Sequence, residues 1–185
     1  MKFVANVDFS GGQLRPLVQS DVNSIIKLYQ KQTLAGQSEA ASQEQAERMI
    51  ELSEQMAATQ RGLMWAIDVE HDGENTMLGM LSLYDWQPSS LKTLMRLDTL
   101  PELTIESQVD ALKSAIEFLA AKYHLRNFSF HCMPVGDEKN ISVLEQTGFK
   151  QQACLRDFRR TGQTEFSDVL VYNQILESET LGDTP

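Results

Sequence analysis

Cysteine is scarce in this chain and sits in no pattern that would give it a role. Cys132 and Cys154 form no CxxC pair, and no cluster of histidine and cysteine occurs at metal-ligand spacing. A disulfide framework and a zinc site are therefore excluded as organising devices, and both thiols are expected to be small buried hydrophobes. Also missing is any run of the ~18 apolar residues needed to span a membrane. The opening MKFVANVDFSGG carries one lysine, an apolar run broken by Asn6 and Asp8, and no small-residue cleavage site. It reads poorly as a signal peptide, and a cytoplasmic location is the simplest expectation. Basic residues are outnumbered, with 16 Lys+Arg against 26 Asp+Glu and a net charge of -10. Such a field repels nucleic acid and favours amines or basic peptides as partners.

What the chain does have is enough apolar residue for one core. Its 185 residues, 42% of them hydrophobic, suit a single domain, expected over 1–176 with a frayed tail at 177–185. Gly11-Gly12 signals a turn before a short strand at QLRPLV, and Ser20 is placed to cap a helix over DVNSIIKLYQKQ. After the polar linker TLAGQSEAA, Ser42 precedes a second helix whose stripe is Ala46, Met49, Ile50, Leu52 and Met56. LMWAIDVE and TMLGMLSLYDW read as strands around an Asp72-Gly73 hairpin turn, and LKTLMRLDTL as a third strand after Pro88-Ser89-Ser90. SQVDALKSAIEFLAAKYH puts Val109, Leu112, Ala115, Ile116 and Leu119 on one helical face, with Ser107 to Asp110 read as its capping box. RNFSFHCM, a helix over DEKNISVLEQT stopped by Gly148, and a hairpin around Thr161-Gly162 complete the order. Helices on both sides of one mixed sheet follow from that order.

One further lack is local. Leu100 to Leu112, LPELTIESQVDAL, joins a strand to the best helix in the chain and contains no glycine.

Three segments, LRPLVQSDVNSIIKLY, VLEQTGFK and LRDFRRTGQTEFSDVLVYNQIL, together resemble the GNAT superfamily of acyl-CoA-dependent N-acetyltransferases, within it the ribosomal-protein N-terminal acetyltransferase-like group. The resemblance implies an α/β GNAT fold: a mixed, mostly antiparallel sheet of about seven strands flanked by about four helices. It also implies a split between the fourth and fifth strands that admits acetyl-CoA. The family's pyrophosphate loop is glycine-rich because helix N-termini present unpaired N–H groups, and small residues let the backbone approach phosphate. Here Thr104 and Glu106 stand in place of those glycines: a β-branched residue resists left-handed conformations, and a carboxylate sits beside amides meant for phosphate.

Carried over by the resemblance, the cofactor-binding positions are Thr99, Leu100, Thr104, Ile105, Glu106, Ser107, Asp137 and Lys139. An Asn-x-x-Ser pair of the family falls on Asp137 and Asn140. Asn140 is the candidate donor to the departing sulfur, although an amide is a poor acid, and Asp137 also reads as a helix N-cap. The family's tyrosine acid falls at Leu144. The oxyanion donor is expected from the backbone near Asp98, Thr99 and Leu100. Asp98 is the first candidate base, with Asp85 and His131 next, while His131 in SFHCM also reads as a structural histidine. Arg156-Asp157 and Asp168 read as hairpin structure, Trp65 and Trp86 as core or cleft wall, and Gln32 to Ser42 as the border of the acceptor site.

The implied activity is acetyl transfer from acetyl-CoA to a peptide N-terminus or small amine by a direct ternary mechanism. The alternative is a catalytically degenerate GNAT-fold binding module. Partners are then a small-molecule amine or a protein N-terminus, without nucleic acid or membrane, and with a homodimer as a candidate assembly.

Overall fold

The computed structural model describes residues 4–30, 42–71 and 74–177. The element order is β1 (Val7–Phe9), β2 (Gly12–Pro16), α1 (Val22–Tyr29), α2 (Gln43–Ala58), β3 (Leu63–His71), β4 (Glu74–Gln87), β5 (Lys92–Thr99), α3 (Ile105–Tyr123), β6 (Asn127–Cys132), α4 (Glu138–Thr147), β7 (Lys150–Arg160) and β8 (Phe166–Ile175). The strands form one sheet of eight in the order β1-β2-β3-β4-β5-β6-β8-β7. Every neighbouring pair is antiparallel except β5 with β6.

The strand beyond the expected seven is β1. Its three residues are too few to display a period, yet they pair with β2 from Val7↔Leu14 to Phe9↔Gly12. Gly12 is needed at that corner, since a Cβ there would stand 2.3 Å from the Asp68 carbonyl oxygen. The Asp72-Gly73 turn, the Gln32 to Ser42 border apart from Ser42, and all of the tail except Glu177 lie outside the described residues.

Alternation along β3 sorts the helices onto two faces. Met64 lines a cavity with Met49 and Leu52 of α2, while the next residue, Trp65, is fully buried and meets Phe118 of α3 edge-on at 5.8 Å. On α3 the expected stripe is buried throughout. Ser42 caps α2, accepting from the Gln45 N–H while the Gln45 side chain takes the Ser42 N–H. Gly148 ends α4 at φ +97°, a left-handed position that favours glycine.

Four local expectations are corrected. Ser20 caps nothing: a 3-10 turn at Gln19–Asp21 precedes α1. There the Asp21 carboxylate accepts from the Val18 N–H and binds both terminal nitrogens of Arg15 at 2.7 and 2.8 Å. Asp68 takes the same guanidinium from its other side. Helix α3 begins earlier than Ser107, with Thr104 as its cap. Leu52 of the α2 stripe is 46% exposed, and Ser53 is the buried residue. Cys132 is buried as expected, but Cys154 is exposed, because β7 is the sheet's edge and most of its residues reach solvent on both faces.

Candidate active site

Strands β5 and β6 run parallel from Lys92↔Asn127 to Met95↔Phe130 and then part. Beyond that point β5 remains paired with β4 as far as Thr99, and β6 remains paired with β8 as far as Cys132. Each strand thus follows its outer neighbour, and a wedge opens between them. A cavity of about 860 Å³ occupies the wedge, walled by Arg96 to Thr99 on one side and His131 to Met133 on the other, with the start of α4 at its end.

The wedge gathers six of the residues expected from sequence: Asp98, Thr99, His131, Asp137, Lys139 and Asn140. Asn140 spans it, donating from Nδ2 to the Leu97 carbonyl at 3.3 Å. Lys139 reaches from α4 toward α3, its Nζ 3.0 Å from the Leu103 carbonyl. Asp137 stands at the N-cap position of α4, but its carboxylate does not cap the helix. It accepts from the Met133 N–H at 2.7 Å and so fixes the end of β6.

The other expected residues lie outside the lining of the wedge. Leu100 is buried and its N–H donates to the Leu78 carbonyl at 2.8 Å, which removes it as an oxyanion donor. Thr104 accepts the Ser107 N–H at 3.1 Å, and the two hydroxyls lie 3.0 Å apart. Thr104 has φ -66° and ψ 157°, an ordinary extended conformation, so the backbone here asks for no glycine. Ile105 and Glu106 occupy the first helical positions and are exposed. Their N–H groups belong to the helix's unpaired set, and the Glu106 carboxylate is directed into solvent.

Of the three base candidates, Asp98 is the most constrained. Its side chain is 10% exposed and ion-paired with Arg96 at 2.9 Å, and it accepts from the Tyr29 hydroxyl at 2.8 Å. Burial, then the Asp98 charge, raises the Tyr29 phenol well above its ordinary range, so it stays a donor to that carboxylate. Asp85 is exposed on a β4 irregularity at φ +46° and accepts from Gln87, away from the wedge lining. His131 is half-buried in the wall of the wedge. Burial, then the nearby Arg159 charge, lowers its pKa from the usual 6.5, leaving a neutral imidazole at neutral pH. Its neighbour Cys132 is pushed the other way, up to about 12, by burial and then by Asp137, which keeps the thiol protonated and a poor nucleophile.

On the α2 side of the sheet lies a second cavity of about 600 Å³, which shares Met95, Arg96, His131 and Arg159 with the wedge. Sequence reasoning passed over Tyr29, Arg48, Arg96 and Arg159. Only the i, i+4 spacing of Arg48 and Leu52 on α2 hinted at a common face. The Asp157-Asp168 relation is structural, as expected: the Asp157 N–H donates to Asp168 Oδ1 at 2.9 Å, with Asp157 at φ +48° inside a register shift of β7.

Solved structures of known acetyltransferases superpose on this architecture. The ribosomal alpha-N-protein acetyltransferase RimL, solved in complex with coenzyme A, matches with a TM-score of 0.78 at 17% identity, over 95% of this chain and 99% of its own. The chain has the GNAT fold. RimJ from Mycobacterium smegmatis, in complex with a CoA-disulfide, matches with a TM-score of 0.75 at 16% identity, over 93% of this chain and 86% of its own. The microcin C7 self-immunity acetyltransferase MccE, in complex with acetyl-CoA and AMP, gives 0.76 at 12% identity, over 90% and 93%. No protein-family model and no curated protein sequence matches the chain. In the numbering used here the GNAT split falls between β5 and β6, displaced by one because β1 precedes the usual first strand.

The residues at the mouth of the split fit a diphosphate-bearing acyl donor. Lys139 lines that end and donates to the Leu103 carbonyl just ahead of the 19-residue α3, and a cation and a helix N-terminus each favour anionic oxygen.

Proposed function

We propose that the protein is an N-acetyltransferase that moves an acetyl group from acetyl-CoA to an amine, a peptide N-terminus or a small molecule, in a direct ternary complex. The observation that supports this most is the parting of β5 and β6 after Met95↔Phe130 around one continuous cavity. Lys139 and the Ile105 and Glu106 amides would hold the diphosphate, and Asn140 would turn its amide from Leu97 to the donor's arm. Bound in the wedge, acetyl-CoA would supply an activated acyl carbon whose C–S bond breaks as the C–N bond forms, the leaving thiolate taking up the proton that the attacking nitrogen gives up.

His131 takes the proton that an ammonium acceptor must lose before its nitrogen can attack, directly or through water. The geometry favours it over Asp98, whose carboxylate is already held by Arg96 and Tyr29. Asp98 positions the β5 end instead. The high pKa of Cys132 supports direct transfer over an acyl-cysteine route. Function in the cytoplasm is part of the same reading.

Calorimetric titration with acetyl-CoA tests the proposal. Micromolar binding, followed by thiol release on adding amines, is expected. Silence at millimolar ligand would leave a degenerate GNAT-fold binding module.

A further inference from the structure

The cavity on the α2 side has a charge opposite to that of the whole chain. The protein carries -10 overall, yet among the described residues this lining contributes Arg48, Arg96, Arg159 and His131 and no carboxylate. Arg96 is balanced by Asp98. Arg48 and Arg159 form no ion pair among the described residues. A concave site lined by one sign of charge focuses the local field whatever the net charge. The acidity of the chain as a whole therefore does not extend to this lining.

Arg159 is held in place by the hairpin. Strand β7 slips register between Leu155 and Arg159, and Arg159 pairs with Ser167. The slipped segment is pinned by the Asp157 N–H donating to Asp168 Oδ1. A bulge of this kind re-aims the side chains beside it, and here Arg159 ends half-buried next to His131, close enough to lower the imidazole's pKa. From α2, Arg48 lines the same cavity together with Met49 and Leu52. The cavity thus has two guanidinium groups without ion-pair partners among the described residues, apolar lining from Met49, Leu52, Met64 and Leu94, and continuity with the wedge through His131.

We propose that this cavity is the acceptor subsite and that it selects amines carrying an anionic group, which Arg48 and Arg159 clamp while the amine nitrogen faces His131. The inference rests on the transferase reading above. A carboxylate-rich peptide N-terminus and a phosphorylated small amine share the required chemistry. Paired guanidinium contacts to such groups strengthen binding by about tenfold or more.

The test compares thiol release from acetyl-CoA with four acceptors: the peptide amides Ser-Glu-Asp-Ala, Ser-Gln-Asn-Ala and Ser-Lys-Lys-Ala, and phosphoethanolamine. An anionic acceptor is expected to exceed the neutral peptide by about tenfold or more in kcat/KM, the advantage shrinking as salt rises. Preference for the acidic peptide assigns a polypeptide source, and preference for phosphoethanolamine a small-molecule one. Arg48→Gln and Arg159→Gln are each expected to cut the anionic-to-neutral ratio by about tenfold, whereas Lys113→Gln, an equal change of charge on exposed α3, leaves it unaltered. Equal use of neutral or basic peptides, or an unchanged ratio in Arg159→Gln, overturns the inference and leaves the transferase intact. If acetyl-CoA does not bind at all, the transferase reading fails. The acceptor role falls with it, and calorimetry of the acidic peptide then decides the anionic clamp: binding lost in Arg159→Gln sustains the clamp, and no binding overturns it.

Discussion

The Tyr29 hydroxyl donates to Asp98 Oδ2 at 2.8 Å, tying helix α1 to the end of strand β5. Arg96 lies over the same ring, 5.7 Å from its centroid, while pairing with the same carboxylate. A carboxylate held in this way is a fixture of the cleft. Asp98→Asn should therefore lower kcat/KM by no more than about tenfold and leave the shape of the pH–rate profile unchanged. A lost acidic limb in that variant would return the base role to Asp98.

His131→Asn should reduce kcat by about 100-fold or more, the usual worth of a positioned base. The wild-type profile carries the sign. A base whose pKa is lowered stays neutral further into acid, so activity should hold below pH 6.5 and fall only as pH drops through the depressed His131 value. A pH–rate series on both proteins checks this, and the acidic limb should vanish in the variant.

At the mouth of the cleft, Lys139→Gln should weaken acetyl-CoA about tenfold by calorimetry. Glu106→Gly should change it by less than about threefold, because that carboxylate is exposed and screened. A large gain from Glu106→Gly would show that the acid occupies the phosphate position after all.

Cys132→Ala should keep single-turnover acetyl transfer and accumulate no acyl-enzyme, since the buried thiol has a pKa pushed up to about 12. Mass spectrometry of wild-type protein quenched after acetyl-CoA alone should show no 42-dalton adduct.

Arg15→Met should destabilise the fold by about 3 kcal/mol, read as a shift of the urea midpoint at unchanged slope. Removing the guanidinium leaves Asp21, with only 6% of its side chain exposed, facing Asp68 without the cation that served both.

Much of this fold can be read locally. The α3 stripe, the Ser42 cap and the Gly148 stop each depend on residues a few positions apart, and each appears where the sequence puts it. The Ser107 cap was misplaced because Thr104 carries the same signal one turn earlier, and only the helix's actual start separates them. Cys154 looks like a core residue until β7 is known to be the edge strand. The site was legible in part: Asp98, Thr99, Asp137, Lys139 and Asn140 do converge. Arg48 and Arg159 were not: they line one cavity only because α2 packs over the sheet and the strand order β6-β8-β7 with a bulge brings Arg159 there, which no short-range pattern records.

Four residue pairs, Lys92↔Asn127 to Met95↔Phe130, are the strand pairing that stitches the five leading strands to the three trailing ones. Amides along that short zip should report the earliest loosening of the molecule in hydrogen exchange, and a guest wedged just past its end would strain the fastening that keeps the two halves of the sheet together.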